Sequence, residues 1–553
     1  MRALMMDMPL SISGLLEHAA SVHGDREVVS CPAEEPLHRS SYAEVAHRAR
    51  RLAMVLGQLG IGEGDRVATL AWSTHRHLEV FYAVSGMGAI CHTINPRLPA
   101  EQIAWMLGHA EDQSIFVDLS FVPVLEAALA GVKSMRPEIV MADRAHMPVA
   151  GPDSPVAASR CYEDLLAGAS DEGFSWPPLD ETTAAVLCYT SGTTGYPKGV
   201  LYSHRSQVLH AFAVALPDVG GFGEAESVLP AAPMFHVSAW GIPYAAALTG
   251  TRLVLPGPRL QPAALAEVMD SESVTIALGV PTVWVGLLRW LRASGRRPRT
   301  LRRLIIGGAA AAPSLIEAFQ QEFGIEVRQA WGMTETSPLG TIATLKAKHR
   351  NSSLDDQLRL QSKQGRPVYG IEIRGVDDTG QPLPWDGRSM GEIEVRGLWV
   401  CSGYYQSERS AAHDAEGWAE GWFATGDVGT IDADGFLHIS DRKKDLIKCA
   451  GEWVSSIEVE ALALQHPDVL QAAAIGVPDE KWGEWSLLFV ALQPGSQLRP
   501  DEILAIYAGR VAKWAVPHRV IILDALPLGA TGKVQKARLR EMYARSDPAA
   551  PLP

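Results

Sequence analysis

Eleven consecutive residues, Tyr189-Thr190-Ser191-Gly192-Thr193-Thr194-Gly195-Tyr196-Pro197-Lys198-Gly199, constrain the fold of this chain more than any other stretch. The apolar run Ala184 to Cys188 feeds it and reads as a buried strand. Val200, Leu201 and Tyr202 follow as a second strand. Glycines let the connecting backbone turn tightly and bring its N–H groups close to a ligand. Hydroxyls and N–H groups lining a concave loop suit a polyphosphate, and Lys198 adds a positive charge. The Gly-Lys-Ser/Thr ending of a Walker loop is missing, so the loop is of another kind.

The rest of the chain sets the context of that loop. At 553 residues, two or more domains are expected. A net charge of −14 does not favour nucleic acid, whose binding rests on neutralising phosphates. The cysteines (Cys31, Cys91, Cys161, Cys188, Cys401, Cys449) are far apart and form no CxxC pair, which suits a reducing cytoplasm. No signal peptide and no apolar run of about 18 residues is found, so no integral membrane segment is expected.

Along the chain, strands at Arg66 to Leu70, Ala89 to Thr93 and Ser114 to Val117 alternate with helical patterns, the first at Ile12 to His23. That order predicts parallel α/β layers. His75, His77 and Glu79 are expected on a solvated helix face, because residues two apart diverge on a helix. Gly151 to Pro178 reads as a surface connection, and Ser203 as the cap of a helix from about Arg205. Ile276 to Val283 reads as a strand ending in a turn. The arginines at 296, 297, 299, 302 and 303 read as a solvated helix end, with a landing site for nucleotide phosphates as the sharper reading. Gly307 to Ala310 leave room for a flat ligand against backbone. In Gln329-Ala330-Trp331-Gly332-Met333-Thr334-Glu335, Trp331 offers an aromatic face to adenine and Thr334 a hydroxyl to a phosphate. Glu335 offers the hard oxygen that Mg²⁺ takes beside substrate phosphates. Asp427 ends Trp422-Phe423-Ala424-Thr425-Gly426-Asp427 and by itself would pass for a turn aspartate. The run Asp441 to Glu452 is charged and boundary-like. The last hundred or so residues read as α+β, with helices at Ser456 to Gln465 and Asp501 to Val511.

These motifs together resemble the adenylate-forming superfamily of acyl-CoA synthetases, luciferases and peptide-synthetase adenylation domains, over roughly Ala184 to Lys536. The resemblance implies an α/β fold: a large multi-layer N-terminal domain (1–441) plus a small mobile α+β C-terminal domain (442–553) turning about Lys444. It implies an ATP-binding set of Thr190, Ser191, Gly192, Thr193, Thr194, Gly195, Lys198, Gly308, Ala309, Gln329, Ala330, Trp331, Asp427 and Arg442, with Mg²⁺ on Glu335 and Thr190. Asp427 resembles the carboxylate that accepts from both hydroxyls of the ribose. His236 would lie at the carboxylate end of an acyl pocket lined by Val237, Trp240, Gly279, Val280, Gly307 and Gly340. Trp240 resembles a tryptophan gating the acyl tunnel of one long-chain group, which typically has Asn where this chain has Ser238. Lys533 resembles the adenylation lysine; Lys448 and Gly451 sit on the face tied to the second half-reaction, with coenzyme A. The usual Pro after Gly451-Glu452 is replaced by the Ser455-Ser456 region.

The expected activity is an acid–thiol ligase: carboxylate and ATP to an acyl-adenylate and pyrophosphate, then thiol attack by CoA. The pocket segments carry no lysine or arginine, which favours an unbranched apolar tail at about 0.8 kcal/mol per buried CH₂; a medium-chain fatty acid is preferred. A short thioether acid (3-methylthiopropionate) or an aryl acid is the alternative. A luciferase-like or carrier-loading adenylase and a non-catalytic acyl or nucleotide binder are the other readings. The resemblance also implies a cytoplasmic homodimer.

Overall fold

The computed structural model describes residues 4–34, 37–130, 138–149, 154, 156–190, 197–406, 417–449, 452–479, 482–529 and 534–545. The chain divides into two compact units, Met1–Glu372 with Arg396–Gly421, and Ile373–Val395 with Trp422–Pro553. A division at 441/442 therefore falls inside the second unit.

Two large sheets organise the first unit. One has seven strands in the order Arg160–Cys161, Glu138–Val140, Ser114–Val117, Arg66–Leu70, Ile90–Thr93, Ala184–Tyr189, Gly199–Ser203. All its neighbours are parallel except the last pair, the two arms of the polar loop. Ala185 to Leu187 are fully buried, so this strand reads as an uninterrupted apolar run, as parallel strands covered on both faces do. The other sheet has nine strands, ordered Arg366–Pro367, Leu339–Ile342, Glu326–Gly332, Arg303–Ile306, Ile276–Gly279, Ser227–Pro230, Arg252–Leu255, Glu27–Ser30, His38–Ser41. Its six central strands run parallel.

Helices seal these sheets with single apolar stripes. Helix Pro281–Ser294 starts on a proline that presets φ for the first turn. It buries Trp284, Leu287, Leu288 and Leu291, an i, i+3, i+4, i+7 stripe. At about 1.5–3 kcal/mol per fully buried side chain, that stripe outweighs the modest helix propensity of Thr282 and Val283. The expected strand through Val283 thus stops at Gly279, where Pro281 begins the helix.

Two further expectations need correction. His75, His77 and Glu79 are fully buried, not solvated, because helix His75–Gly86 is covered on every side. Each finds a partner instead: His75 the Ser30 hydroxyl (2.8 Å), His77 the Trp72 carbonyl (3.0 Å), Glu79 the Arg48 guanidinium (2.8 Å). Burial holds His77 neutral, its pKa lowered to about 4. The 151–178 region is more than a connection. It supplies the edge strand Arg160–Cys161 and helix Tyr162–Ala167.

In the second unit, the Gly391 to Val395 part of strand Gly391–Gly397 forms an antiparallel ladder with Trp422–Ile431 and Leu437–Arg442. A five-stranded sheet follows, Glu452–Val454, Ile447–Cys449, Gly483–Leu492 and Val469–Asp479 in order, with Arg519–Leu523 beside Gly483–Leu492. Apolar clusters cover both its faces. The helix expected from Asp501 to Val511 is only Pro500–Ala505; Tyr507 turns inward and donates to the Val459 carbonyl at 2.6 Å.

Candidate active site

Three parallel strands of the nine-stranded sheet end at adjacent points: Gly279, Ile306 and Gln329 are in register across them. The carboxyl ends of parallel strands, where side chains and loop backbone converge, are the usual ligand position in open α/β sheets. Small residues keep this edge open. A Cβ on Gly307 would come within 3.2 Å of the Trp240 ring and 3.4 Å of the Ala330 carbonyl. One on Gly308 would reach Val280 at 3.2 Å, and one on Gly340 the Trp331 ring at 2.6 Å. Trp240, Gly307, Val280, Gly308 and Ala330 are therefore neighbours, and the Trp331 ring packs against Gly340. Gln329 is occupied in holding this edge: its Oε1 accepts from Ala311 N–H (2.7 Å) and its Nε2 donates to Ser362 O (3.0 Å). It shapes the loop that carries exposed Gly308 and Ala309.

Glu335 follows on a short turn after this strand, nearly buried at 6% exposure. The Tyr404 hydroxyl donates to Glu335 Oε1 at 2.7 Å. The Lys198 ammonium lies 4.4 Å from the centre of the Tyr404 ring, a cation–π contact. Lys198 and Thr190 close the base of the polar loop: Thr190 N–H donates to Lys198 O (2.8 Å) and Lys198 N–H to Thr190 Oγ1 (3.3 Å). The Tyr202 hydroxyl, on the returning strand, donates to Thr334 O at 2.6 Å. The C-terminal side of the loop is thus tied to the Thr334–Glu335 turn, directly through Tyr202 and by way of Lys198 and Tyr404, and Thr190 joins it through Lys198. Sequence reading gave Tyr202 only as part of the second strand and did not single out Tyr404. Neither stands inside the motifs it used, although Gly403-Tyr404-Tyr405 carries an aromatic signal in an otherwise polar segment. Among the described residues no group of three or more His, Cys, Asp or Glu could hold a metal. The buried carboxylate of Glu335, linked through Tyr404 to Lys198 at the base of the loop, fits a cation such as Mg²⁺ that takes most of its ligands from phosphate and water.

His236 caps the turn Val237–Trp240 in extended backbone and is half-buried. The turn itself is unusual. Val237, Ser238, Ala239, Trp240 and Gly241 all have φ between 47° and 72°. A left-handed conformation costs about 1–2 kcal/mol per non-glycine residue, and most for a β-branched one. Burial compensates: Val237, Ser238 and Ala239 are each 3% exposed or less, and the N–H groups of Val237 and Ser238 point at buried Cys188. The expected pocket residues His236, Val237, Trp240, Gly279, Val280, Gly307 and Gly340 all belong to this first unit.

In the second unit, Asp427 is in a strand and is 3% exposed. It pairs in register with Arg442 of the next strand, whose Nε lies 2.7 Å from Asp427 Oδ1. Arg442 also donates to Thr425 O at 3.0 Å. Lys444 is exposed; its pKa is lowered, first by desolvation, then by Arg442 and Arg540 against the opposing pull of Asp445. Lys448 sits on a hairpin opposite Trp453, its ammonium 5.2 Å from that ring. Ser191, Gly192, Thr193, Thr194, Gly195, Gly451 and Lys533 lie outside the described residues.

Two of the five arginines of the 296–303 stretch are ion-paired. Arg302 pairs with Glu226 (2.8 Å), Arg303 with Glu326 (2.8 Å), and Arg297 donates to the Glu322 carbonyl.

Residues 16–405 match the family model of AMP-binding enzymes, and 458–533 that of the AMP-binding enzyme C-terminal domain. The chain belongs to the AMP-binding enzyme family. It is an enzyme of the adenylate-forming superfamily, in the acid–thiol ligase class. It is 48% identical over 543 residues to a 3-methylmercaptopropionyl-CoA ligase of Ruegeria pomeroyi, covering 98% of both chains. It is 47% identical over 539 residues to a medium-chain-fatty-acid–CoA ligase of Ectopseudomonas oleovorans, covering 98% of this chain and 97% of that one. Among solved structures it resembles the o-succinylbenzoate coenzyme A synthetase of Bacillus subtilis in complex with ATP and magnesium ion. The TM-score is 0.78 at 25% identity, over 95% of this chain and 99% of that one. As in such relatives, a large N-terminal and a small C-terminal domain make up the family fold.

Proposed function

We propose that this AMP-binding enzyme is an ATP-dependent fatty acid–CoA ligase that works through an acyl-adenylate and favours medium-chain acids. The observation that carries the proposal is the Thr190–Lys198–Tyr404–Glu335 chain beside an apolar strand edge lined by Trp240 and Gly307. A carboxylate is a poor acyl donor because oxide would have to leave. Its attack on the α-phosphate of ATP makes AMP the leaving group and releases pyrophosphate. Charge then spreads over the phosphoryl oxygens, and catalysis rests on positioning and electrostatics. In the reading offered here, Lys198 and the loop hydroxyls hold the phosphates and Thr334 meets the α-phosphate. Trp331 packs on adenine, and Asp427 with Arg442 takes the ribose. Magnesium held by Glu335 and Thr190 would supply Lewis-acid neutralisation of that charge. Lys533 would stabilise the first transition state. Lys448 and Gly451 would serve the second step, when CoA thiolate displaces AMP, after residues 442–553 turn about Lys444. No lysine or arginine stands among the expected pocket residues to pair with a second carboxylate, which favours an apolar tail. A second reading has a specific observation in its favour: the relative at 48% identity is named for a thioether acid, against 47% for the medium-chain one.

The test is pyrophosphate release with ATP, Mg²⁺ and CoA across straight-chain acids from about C3 to C18, plus 3-methylthiopropionate and benzoate. The expected result is a maximum of kcat/KM between about C6 and C12, rising by a steady factor per methylene below it. A maximum at C3–C4 or on the thioether acid replaces the medium-chain reading with the second one. No release with any acid sinks the ligase reading itself. Lys533→Ala is expected to abolish pyrophosphate release yet spare CoA transfer from supplied acyl-adenylate; loss of both counts against the division of labour between Lys533 and Lys448.

A further inference from the structure

Tyr189 opens the polar loop, and its side chain is held by a helix that carries none of the expected site residues. Helix Ala100–Ala110 bears Trp105 and His109 four residues apart, hence on one face. Their rings stack, with centroids 4.6 Å apart and 22° between planes. His109 Nδ1 lies 2.7 Å from the Tyr189 hydroxyl. Both rings stand edge-on to that of Tyr189, Trp105 at 6.1 Å and His109 at 5.8 Å. His109 also meets the Tyr405 ring edge-on, at 5.8 Å.

These contacts converge on the base of the loop. Tyr189 is the register partner of Gly199 across the two arms. Tyr405 N–H donates to the Gly199 carbonyl at 2.8 Å. A Cβ on Gly199 would stand 3.3 Å from the Tyr189 ring and 3.1 Å from Tyr405 Cβ, so glycine lets both side chains close in. The next residues inward, Thr190 and Lys198, are joined by their own pair of hydrogen bonds. One imidazole thus reaches both Tyr189 and Tyr405, each of which pairs with Gly199. Desolvation, then the nearby His92, lowers the pKa of His109, and burial raises that of Tyr189. At pH 7 the ring is neutral and the phenol protonated, a pair that hydrogen-bonds in either imidazole tautomer.

We propose that His109 is a positioning residue for the nucleotide: through Tyr189 and Tyr405 it fixes the base of the loop, and with it the reach of Thr190 and Lys198 toward the phosphates of ATP. It acts through these neighbours and not on a reacting atom. The proposal rests on the reading of this loop as the ATP phosphate site. Packing alone would need no polar atom here, whereas His109 aims one at the first residue of the loop.

Steady-state kinetics on the full-length enzyme test it, with pyrophosphate release read at varied ATP and, separately, at varied acid. Tyr189→Phe keeps the ring and removes the hydroxyl; His109→Ala removes its partner. Each is expected to raise KM for ATP about 3–10-fold, the worth of one hydrogen bond, and to leave KM for the acid unchanged. The double variant is expected to match His109→Ala, because both changes act through one contact. His109→Asn sets an amide where Nδ1 stood and is expected to hold KM for ATP within about 2-fold of the parent. A purely structural role lowers Tm without separating the two KM values. A parental KM for ATP in the single variants, an equal rise in both KM values, additive losses in the double variant, or no recovery with Asn each overturns the proposal. Should His109→Ala fail to fold, Tyr189→Phe and His109→Asn carry the comparison. A parent that binds ATP and Mg²⁺, seen as a rise in Tm, but releases no pyrophosphate with any acid sinks the ligase reading alone. The variants are then expected to show a smaller rise than the parent, and an equal one overturns the proposal. A parent that binds no ATP overturns both.

Discussion

Tyr404 shows how much of a site hangs on one phenol. It donates to Glu335 on one side and lies under the Lys198 ammonium on the other. A hydrogen bond to a charged acceptor contributes about 1.5–3 kcal/mol. Tyr404→Phe keeps the ring under Lys198 and removes only the donor. The expected outcome is a drop of about 10–100-fold in kcat/KM for pyrophosphate release, with Tm lowered by a few degrees; an unchanged rate assigns Tyr404 to packing alone. At this scale the sequence was informative where chemistry is carried by residue type. Glu335, Asp427 and Arg442 were picked out by residue type, and Asp427 and Arg442 prove to be direct cross-strand partners. What sequence could not show is the wiring between distant segments. Tyr202 and Thr334 are 132 residues apart and Tyr404 and Glu335 are 69 apart, yet each pair is joined by one hydrogen bond. No local pattern encodes such contacts, because the fold alone brings them together.

Among the elements, helix His204–Ala215 joins local signals to tertiary ones. Ser203 caps it: its hydroxyl accepts from Ser206 N–H at 3.1 Å, as the Ser203 signal predicts. Ser203→Ala is expected to cost about 1 kcal/mol, read as a lower midpoint in urea unfolding. Its buried histidines, in contrast, gave no local warning. Polar side chains on a helix usually read as a solvated face, and the same misreading placed His75, His77 and Glu79 in water. Their burial is decided by what packs over the helix, not by the helix itself. The strand–helix change at Gly279 was misread for a related reason: Ile276 to Val283 is apolar throughout, and apolarity without periodicity does not separate a buried strand from a buried helix. The left-handed turn at Val237–Gly241 was not legible either, since valine at positive φ runs against every local preference.

For the whole molecule, pH acts on stability through a buried carboxyl. Asp118 is 6% exposed, and burial pushes its pKa up to about 7 from an ordinary 3.8. Glu34 adds to that rise, while the Trp72 N–H and Arg76 oppose it. Between those two values the unfolded chain has released the proton and the folded chain still holds it. Raising pH through this window therefore erodes stability, and the loss is complete above about pH 7. Asp118→Asn keeps an acceptor for Trp72 N–H and removes the titration. Its stability relative to the parent is expected to improve by about 3 kcal/mol between pH 5 and pH 8, measured by denaturant unfolding at each pH. A constant difference across that range means Asp118 is ionised in the folded protein throughout.

The nine-stranded sheet has a consequence for how the protein is made. Strand Glu27–Ser30 pairs with Arg252–Leu255, and the ion pair between Glu27 and Arg252 spans 225 residues. At about 5–20 residues per second, the ribosome delivers the second strand roughly 10–45 s after the first. For that interval Val28 and Val29, fully buried in the finished enzyme, lack the parallel neighbour that completes their sheet. The N-terminal segment must wait, paired only with His38–Ser41 or held by a chaperone, until almost half the chain has emerged.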